Sequence, residues 1–141
     1  MLAVARVRGV REQDSRIGLR QALHEQRAHE ARVDELRRRL ESAGTFGSGS
    51  SGLFLVLRAS LDALGASLRA AEEQAAGSRT VSESAYAHWQ HDKARLASVE
   101  VLLERRAEAR RIEAARRESR DLDEMSVQAW QRRRSRTGGE G

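Results

Sequence analysis

Two small groups of polar residues in the sequence could carry chemistry. Asp123 and Glu124 could serve as an acid and a base, but adjacent side chains on a helix diverge by about 100°, so the two carboxylates cannot flank one substrate. His88, His91 and Asp92 lie within one helical turn and could bind a metal, but without a fourth ligand exposed histidines are the simpler interpretation. We therefore expect no catalytic residue, no cofactor and no metal site.

The composition indicates which elements must position these groups. The chain has no proline and is rich in Ala, Glu, Leu and Arg, which favours long helices. Charged residues make up 33% of it and aromatic residues only 4%, so a conventional core is not expected. Cysteine is absent, which excludes disulfides and thiolate metal sites. No apolar run approaches the roughly 18 residues that cross a bilayer, and the N-terminus is too charged for a secretory signal. A cytoplasmic protein without a transmembrane segment is expected.

The charge pattern argues against nucleic acid as the partner. The net charge is +5, but acids are interspersed with arginines along the chain. Only Arg37–Arg39 and Arg132–Arg134 form short basic clusters, whereas a nucleic-acid footprint usually gathers basic charge on one stripe or tail. A helical nucleic-acid binder is therefore the least favoured function.

Two glycine-containing breaks divide the predicted helices. The run GTFGSGSSG at 44–52 must end a helix, and it lacks the lysine and the preceding strand of a phosphate-binding loop. At 76–80, Gly77 can end a second helix, and Thr80 with Glu83 has the form of a capping box. The sequence predicts one domain, with helices over residues 2–43, 53–76 and 81–134 and a disordered tail at 135–141.

Apolar residues along these helices predict a coiled coil. In the middle helix they alternate steps of three and four residues, the spacing of a seam for one partner helix; they are Phe54, Leu57, Leu61, Leu64, Leu68, Ala71 and Ala75. The third helix continues the pattern through the predicted packing anchors Trp89, Leu96, Leu103 and Leu122. In the first helix the stripe shifts between Val10 and Ile17 on one side and Val33, Leu36 and Leu40 on the other.

These helices must bury their seams by chain reversal. A turn at 76–80 sets two ascending segments against a third helix of matched length, and it is mildly preferred, with Trp89 near the tip. A turn at 44–52 leaves roughly 40 residues unpaired. Either way the expected fold is all-α, an elongated antiparallel two-stranded coiled-coil hairpin that is monomeric.

The stretch from residue 86 to 130 resembles the FliJ family of flagellar type III export stalk proteins and its counterparts in virulence secretion. The resemblance rests on motifs in order and at this spacing, together with the Gly/Ser break near residue 45: Trp89, Lys93 to Leu96, Leu103-Glu104-Arg105, Glu113 and Leu122-Asp123-Glu124. It implies a non-enzymatic stalk that binds a hexameric export ATPase, promotes its activity, couples it to the membrane export gate and escorts export chaperones. It also implies a place at the inner face of the cell membrane.

The resemblance suggests residues for these contacts. The expected ATPase-docking residues are Arg6, Arg8, Arg11, Arg110, Arg111, Arg116, Arg117, Arg120, Asp123 and Glu124; the alternative is a solvated helical face. The leucines Leu57, Leu61, Leu64 and Leu68 are either the seam or an export-gate face. A generic structural coiled coil, such as a dimeric spacer, is the alternative function, and a flagellar and a virulence system both remain open.

Overall fold

The computed structural model describes residues 1–43 and 51–137, which form two long helices. Helix α1 spans Leu2–Ala43 and helix α2 spans Ser51–Thr137. The helices pack against each other in opposite directions, so the predicted all-α antiparallel hairpin is confirmed. Residues 44–50, which join the helices and include the predicted cap Gly44, lie outside the described residues, as do 138–141.

The predicted helix break at 76–80 is wrong, because α2 continues through it. Gly77 lies inside the helix, and a Cβ built there would meet nothing within 4 Å. Thr80 does not cap a new helix, since its hydroxyl donates back to the Ala76 carbonyl oxygen at 3.3 Å. Ser78 likewise donates to the Ala75 carbonyl oxygen at 2.9 Å. The preferred turn at 76–80 is therefore wrong, and the predicted disordered tail is helical at 135–137.

The chain divides by its packing into two units. The first, here called the hairpin unit, comprises Arg6–Leu96. The second, here called the terminal unit, comprises Met1–Ala5 together with Ala97–Gly141. The prediction of a single domain stays a prediction, and each unit is described by itself.

The hairpin unit is held together by a small apolar cluster, with exposed ion pairs between the helices beside it. Val33 and Leu36 of α1 pack with Ala71 and Ala75 of α2, and Leu64 and Leu68 pack against this cluster. On either side of it, Arg37 pairs with Glu72 at 2.8 Å and Arg79 with Glu30 at 3.1 Å. Residue numbers rise on one helix as they fall on the other, which fixes an antiparallel register.

Both helices keep a continuous seam through the hairpin unit. In α2 the buried and half-buried positions include Leu57, Leu61, Leu64, Leu68, Ala71, Ala75, Ser78, Ser82, Ala85, Trp89, Asp92 and Leu96. In α1 they include Arg8, Glu12, Ser15, Leu19, Ala22, Gln26, His29, Val33, Leu36, Leu40 and Ala43. Each series alternates steps of three and four residues, the period of a coiled-coil seam.

Three apolar residues predicted to belong to the seam are exposed instead. Val10 is 55% exposed, Ile17 50% and Phe54 61%. The predicted stripe shift in α1 is therefore wrong. The seam passes without interruption through polar positions such as Glu12, Ser15 and Gln26, which a search for apolar residues does not find.

The terminal unit is mostly exposed helix. Val99, Leu103 and Ala107 are half-buried, whereas from residue 108 to 136 every side chain except Glu113 and Ala129 is exposed. Within Ser51–Arg136, α2 also contains one window that is long and apolar enough to cross a membrane by length and composition alone. One such window is weak evidence for a membrane span, so the absence of a transmembrane segment stays a prediction.

Candidate docking surface

The terminal unit presents a dense array of exposed charges on α2. Of the predicted docking residues, seven lie here, and all seven are exposed: Arg110, Arg111, Arg116, Arg117, Arg120, Asp123 and Glu124. A helix that carries both signs of charge at intervals of three and four residues can pair its charges internally or with a partner.

The internal pairs on this face are weak. Arg111 Nη1 lies 3.4 Å from Glu108 Oε2, and Arg117 Nε lies 3.4 Å from Glu113 Oε1. The arginine side chains remain 80% and 73% exposed. Exposed pairs of this kind are worth about 0–1 kcal/mol, so little free energy is lost when the guanidinium groups change partners.

An open groove of 630 Å³ runs along the same part of α2. It is lined by Arg110, Glu113, Ala114, Arg117, Glu118, Asp121, Leu122 and Met125. Leu122 is 56% exposed and Met125 61%, so Leu122 is not the packing anchor that the sequence predicted. A groove with apolar side chains beside charges of both signs suits a protein surface as its partner, because each kind of contact has a counterpart there.

The other three predicted docking residues belong to the hairpin unit. Arg6 and Arg11 are exposed, as the prediction requires. Arg8 is half-buried, and its Nη1 atom is buried without a hydrogen-bond partner among the described residues. Arg8 is therefore less available to a docking partner than predicted, because it occupies a seam position.

The hairpin unit contains a polar cluster around Trp89. The indole N–H of Trp89 donates to Glu12 Oε1 at 2.8 Å, and Arg16 Nη2 donates to the same oxygen at 2.7 Å. Glu12 is only 5% exposed. Lys93 Nζ lies 4.9 Å from the Trp89 ring centroid, and the Tyr86 ring lies 5.8 Å away on the same helix. Trp89 therefore joins the helices opposite the N-terminal third of α1 and does not mark a hairpin tip.

Hydrogen bonds from Trp89 and then from Arg16 hold the pKa of Glu12 below its ordinary value. Both donors favour the charged carboxylate, and they outweigh the desolvation that opposes them. The cluster thus anchors an ionised side chain inside the seam.

A second polar layer crosses the seam just past the middle of α1. The Ser82 hydroxyl donates to Gln26 Oε1, and Gln26 Nε2 donates to Glu30 Oε1 at 2.9 Å. Arg79 Nη2 donates to the same Glu30 oxygen at 3.1 Å. The hydrogen bonds from Gln26 and Arg79 lower the pKa of Glu30. This network links the two helices through side chains that were not among the predicted seam residues.

The sequence contained a signal for these polar layers. Glu12, Gln26 and Ser82 all fall on the three-and-four spacing of the seams, so a search for the spacing alone would have found them. Polar residues at such positions fix the register of a coiled coil, at a cost in stability.

The histidine group considered for a metal forms only a pair. His88 Nε2 lies 3.4 Å from Asp92 Oδ2, and His88 is exposed while Asp92 is 6% exposed. Across the described residues no group of three or more His, Cys, Asp or Glu side chains is placed to hold a metal ion.

The leucines considered for the export gate are half-buried in the seam. Leu57, Leu61, Leu64 and Leu68 share one face of α2, and the last two pack against the apolar cluster. The preceding turn of α2 is far more exposed, with Leu53 62% and Phe54 61% exposed. Leu96 and Leu103, two further predicted anchors, are half-buried in the hairpin unit and the terminal unit respectively.

The chain matches the model of a known protein family. A protein family described as "Flagellar FliJ protein" matches residues 1–135. No curated protein and no solved structure matches the chain significantly.

Proposed function

The chain belongs to the flagellar FliJ family and is a component of the flagellar protein export apparatus, and within that apparatus we propose that it is a non-enzymatic stalk for the hexameric export ATPase. It binds the ATPase, promotes its activity and couples it to the membrane export gate. It also escorts export chaperones, and it works in the cytoplasm at the inner face of the cell membrane.

The exposed run of α2 from residue 108 to 124 is the observation that supports this proposal most strongly. Glu113 is the one residue in this run that is not exposed. The run carries the weak internal pairs of Arg111 and Arg117 and most of the groove that ends at Met125. A partner can exchange those pairs for its own at little cost in free energy.

Weak and polar contacts suit a stalk that faces a ring of similar subunits. Charged pairs at the edge of an interface mainly affect association rate and orientation, and they leave dissociation fast. One helix presents different side chains to each subunit, so it favours different subunit states around the ring. Nucleotide hydrolysis is performed by the ATPase, and the chain shifts the populations of its conformations.

Charge reversal of Arg116, Arg117 and Arg120 to glutamate tests the docking surface. We expect the triple variant to lose about tenfold or more in affinity for the export ATPase, because three favourable contacts become repulsive. The measurement is quantitative co-purification with the ATPase, alongside its rate of hydrolysis.

The matched control reverses Arg37, Arg38 and Arg39, which changes the charge equally in the hairpin unit. Their ion pairs with Glu72 and Glu35 are exposed and contribute little stability. Equal ATPase binding by wild type and both variants would refute the docking assignment. A stable dimer in sedimentation, without ATPase binding, would favour the structural spacer.

The gate-facing proposal concerns the α2 leucines and needs a separate test. Leu61→Ala with Leu64→Ala should lower the melting temperature if both residues serve the seam alone. Normal stability with lost binding to the gate protein would assign them to the gate face. The control is Leu53→Ala with Phe54→Ala, which removes exposed apolar side chains outside the buried cluster. Its melting temperature and gate binding are compared with those of the Leu61 and Leu64 variant.

A further inference from the structure

The last turns of α2 differ in charge from the docking surface before them. Residues 125–136 contain four arginines and no acid, whereas Asp121, Asp123 and Glu124 immediately precede them. All side chains of this segment except Ala129 are exposed. The segment is therefore a compact basic surface at one end of a mixed-charge helix, and the docking residues do not include any of it.

Apolar side chains accompany the basic ones. Met125 is 61% exposed, Val127 53% and Trp130 57%. On a helix with about 100° per residue, Val127, Trp130 and Arg134 fall on one face at steps of three and four. Two apolar groups and one cationic group are therefore presented on the same side of the helix.

Two local contacts organise the basic side chains around the tryptophan. The Arg134 guanidinium lies over the Trp130 ring, 5.0 Å from its centroid. Arg132 Nε donates to the Gln128 carbonyl oxygen at 3.3 Å. These contacts hold the charged groups close to the helix surface, and they keep Trp130 in a cationic environment.

From this arrangement we propose that residues 125–136 of α2 bind the surface of an anionic phospholipid bilayer. The arginines meet the phosphate groups, and the ring of Trp130 lies at the headgroup level, where tryptophan is most favourable. Val127, on the same face as Trp130, then enters the boundary of the acyl chains. Membrane binding by this segment rests on the proposed location of the chain at the inner face of the cell membrane. Residues 125–136 are the surface that contacts the bilayer there.

A bilayer fits the segment better than a nucleic acid does. Nucleic-acid phosphates would pair with the arginines, but they offer no apolar layer for Val127 and Trp130. An anionic bilayer supplies both the charge and the apolar layer. The segment also lacks the acids that the docking surface uses, so its charge is complementary to a purely anionic surface.

Vesicle sedimentation with the full chain tests the proposal. The chain should bind vesicles containing phosphatidylglycerol, should not bind vesicles of phosphatidylcholine alone, and should be released as salt is raised. Arg132→Gln with Arg133→Gln and Arg134→Gln should weaken binding by about a hundredfold at low ionic strength, since each arginine near an anionic surface contributes roughly fivefold. The matched control replaces Arg37, Arg38 and Arg39 by glutamine and should bind as wild type does.

Trp130 gives a second measurement that does not depend on sedimentation. Tryptophan emission should shift to the blue when phosphatidylglycerol vesicles are added, and Trp130→Phe should abolish that shift. A shift that persists in Trp130→Phe would point to Trp89 and would overturn the proposal. The proposal would also be overturned if the chain bound both kinds of vesicle equally, or if the two arginine triplet variants lost equal vesicle affinity. It would be overturned as well if the chain bound duplex DNA at lower concentration than vesicles.

The ATPase measurement separates this inference from the proposed function. The Arg132–Arg134 variant should still co-purify with the export ATPase, because those residues are outside the docking set. Lost vesicle binding with retained ATPase binding supports the inference. Retained vesicle binding in that variant contradicts the membrane-binding inference, whatever the ATPase result is. A wild-type chain that binds vesicles but no ATPase contradicts only the proposed stalk function.

Discussion

At the scale of single residues, the seam is held by polar contacts as much as by apolar packing. Glu12 accepts hydrogen bonds from Trp89 and Arg16 inside the hairpin unit, and it is almost fully buried. A buried polar group is stable only when its hydrogen bonds are made, and such contacts are lost together if the helices slide. These residues therefore specify one register, whereas alanines such as Ala71 and Ala75 would tolerate several.

The pH dependence of stability should report on Glu12. Its pKa is lowered in the folded chain, first by Trp89 and then by Arg16. A carboxyl group with a lowered folded pKa contributes stability above its unfolded pKa of about 4.3. That contribution is lost as pH falls through the folded pKa. We expect acid to destabilise the hairpin unit, as followed by denaturant unfolding at a series of pH values.

Two variants test the assignment of that pH dependence. Glu12→Gln should remove the part that Glu12 supplies, and Trp89→Phe should reduce it because the first donor is lost. An acid transition that is unchanged in both variants would show that other carboxyl groups are responsible.

At the scale of elements, the continuity of α2 is the main departure from the sequence prediction. Gly77 and the Thr80–Glu83 pattern resemble a helix end. The seam packing before and after these residues stabilises the helix by more than one glycine destabilises it. A glycine inside a helix costs about 1 kcal/mol relative to alanine, which the interhelical pair of Arg79 with Glu30 and the burial of Ala75 and Ser82 can offset.

Replacement of Gly77 should therefore stabilise the protein. Gly77→Ala should raise the free energy of unfolding by about 0.5–1 kcal/mol, because a Cβ there meets no atom and the unfolded chain loses freedom. The reverse substitution at its exposed neighbour, Ala76→Gly, should lower it by a similar amount. Chemical denaturation measures both. A destabilising Gly77→Ala would instead indicate that the helix ends there.

The sequence predicted the helical class and the leucine seam because both depend on composition and local spacing, although it divided α2 into two helices. Composition and the run of Leu57, Leu61, Leu64 and Leu68 were sufficient for the fold class. The register was not predicted, since it depends on pairs such as Arg37 with Glu72 that are distant in sequence. The exposure of Leu122 was missed for a related reason: an apolar spacing predicts a face, but it does not predict whether a second helix covers that face.

At the scale of the whole molecule, one chain supplies both helices by folding on itself. Arg37 and Glu72 meet across the helices, whereas Arg95 lies beside Arg11 and Asp14 at the other end of α1. With cysteine absent from the natural sequence, Arg37→Cys with Glu72→Cys can be joined by a short thiol crosslinker. We expect an internal crosslink with the electrophoretic mobility of a monomer.

The control for that crosslink is Arg37→Cys with Arg95→Cys. Arg95 lies beside Asp14 of α1. Asp14 and Arg37 are 23 positions apart on the same helix, which is about 35 Å at 1.5 Å per residue. A short crosslinker should not join them. Covalent dimers as the main product of Arg37→Cys with Glu72→Cys would indicate that two chains supply the helices.

The most direct measurement of the central claim is the hydrolysis rate of the flagellar export ATPase with increasing amounts of the purified chain. A stalk shared by a ring of subunits should raise the rate and reach saturation at well below one chain per ATPase subunit. The variant with Arg116, Arg117 and Arg120 reversed should not do so. An unchanged rate, or saturation only at one chain for every subunit, would contradict the stalk.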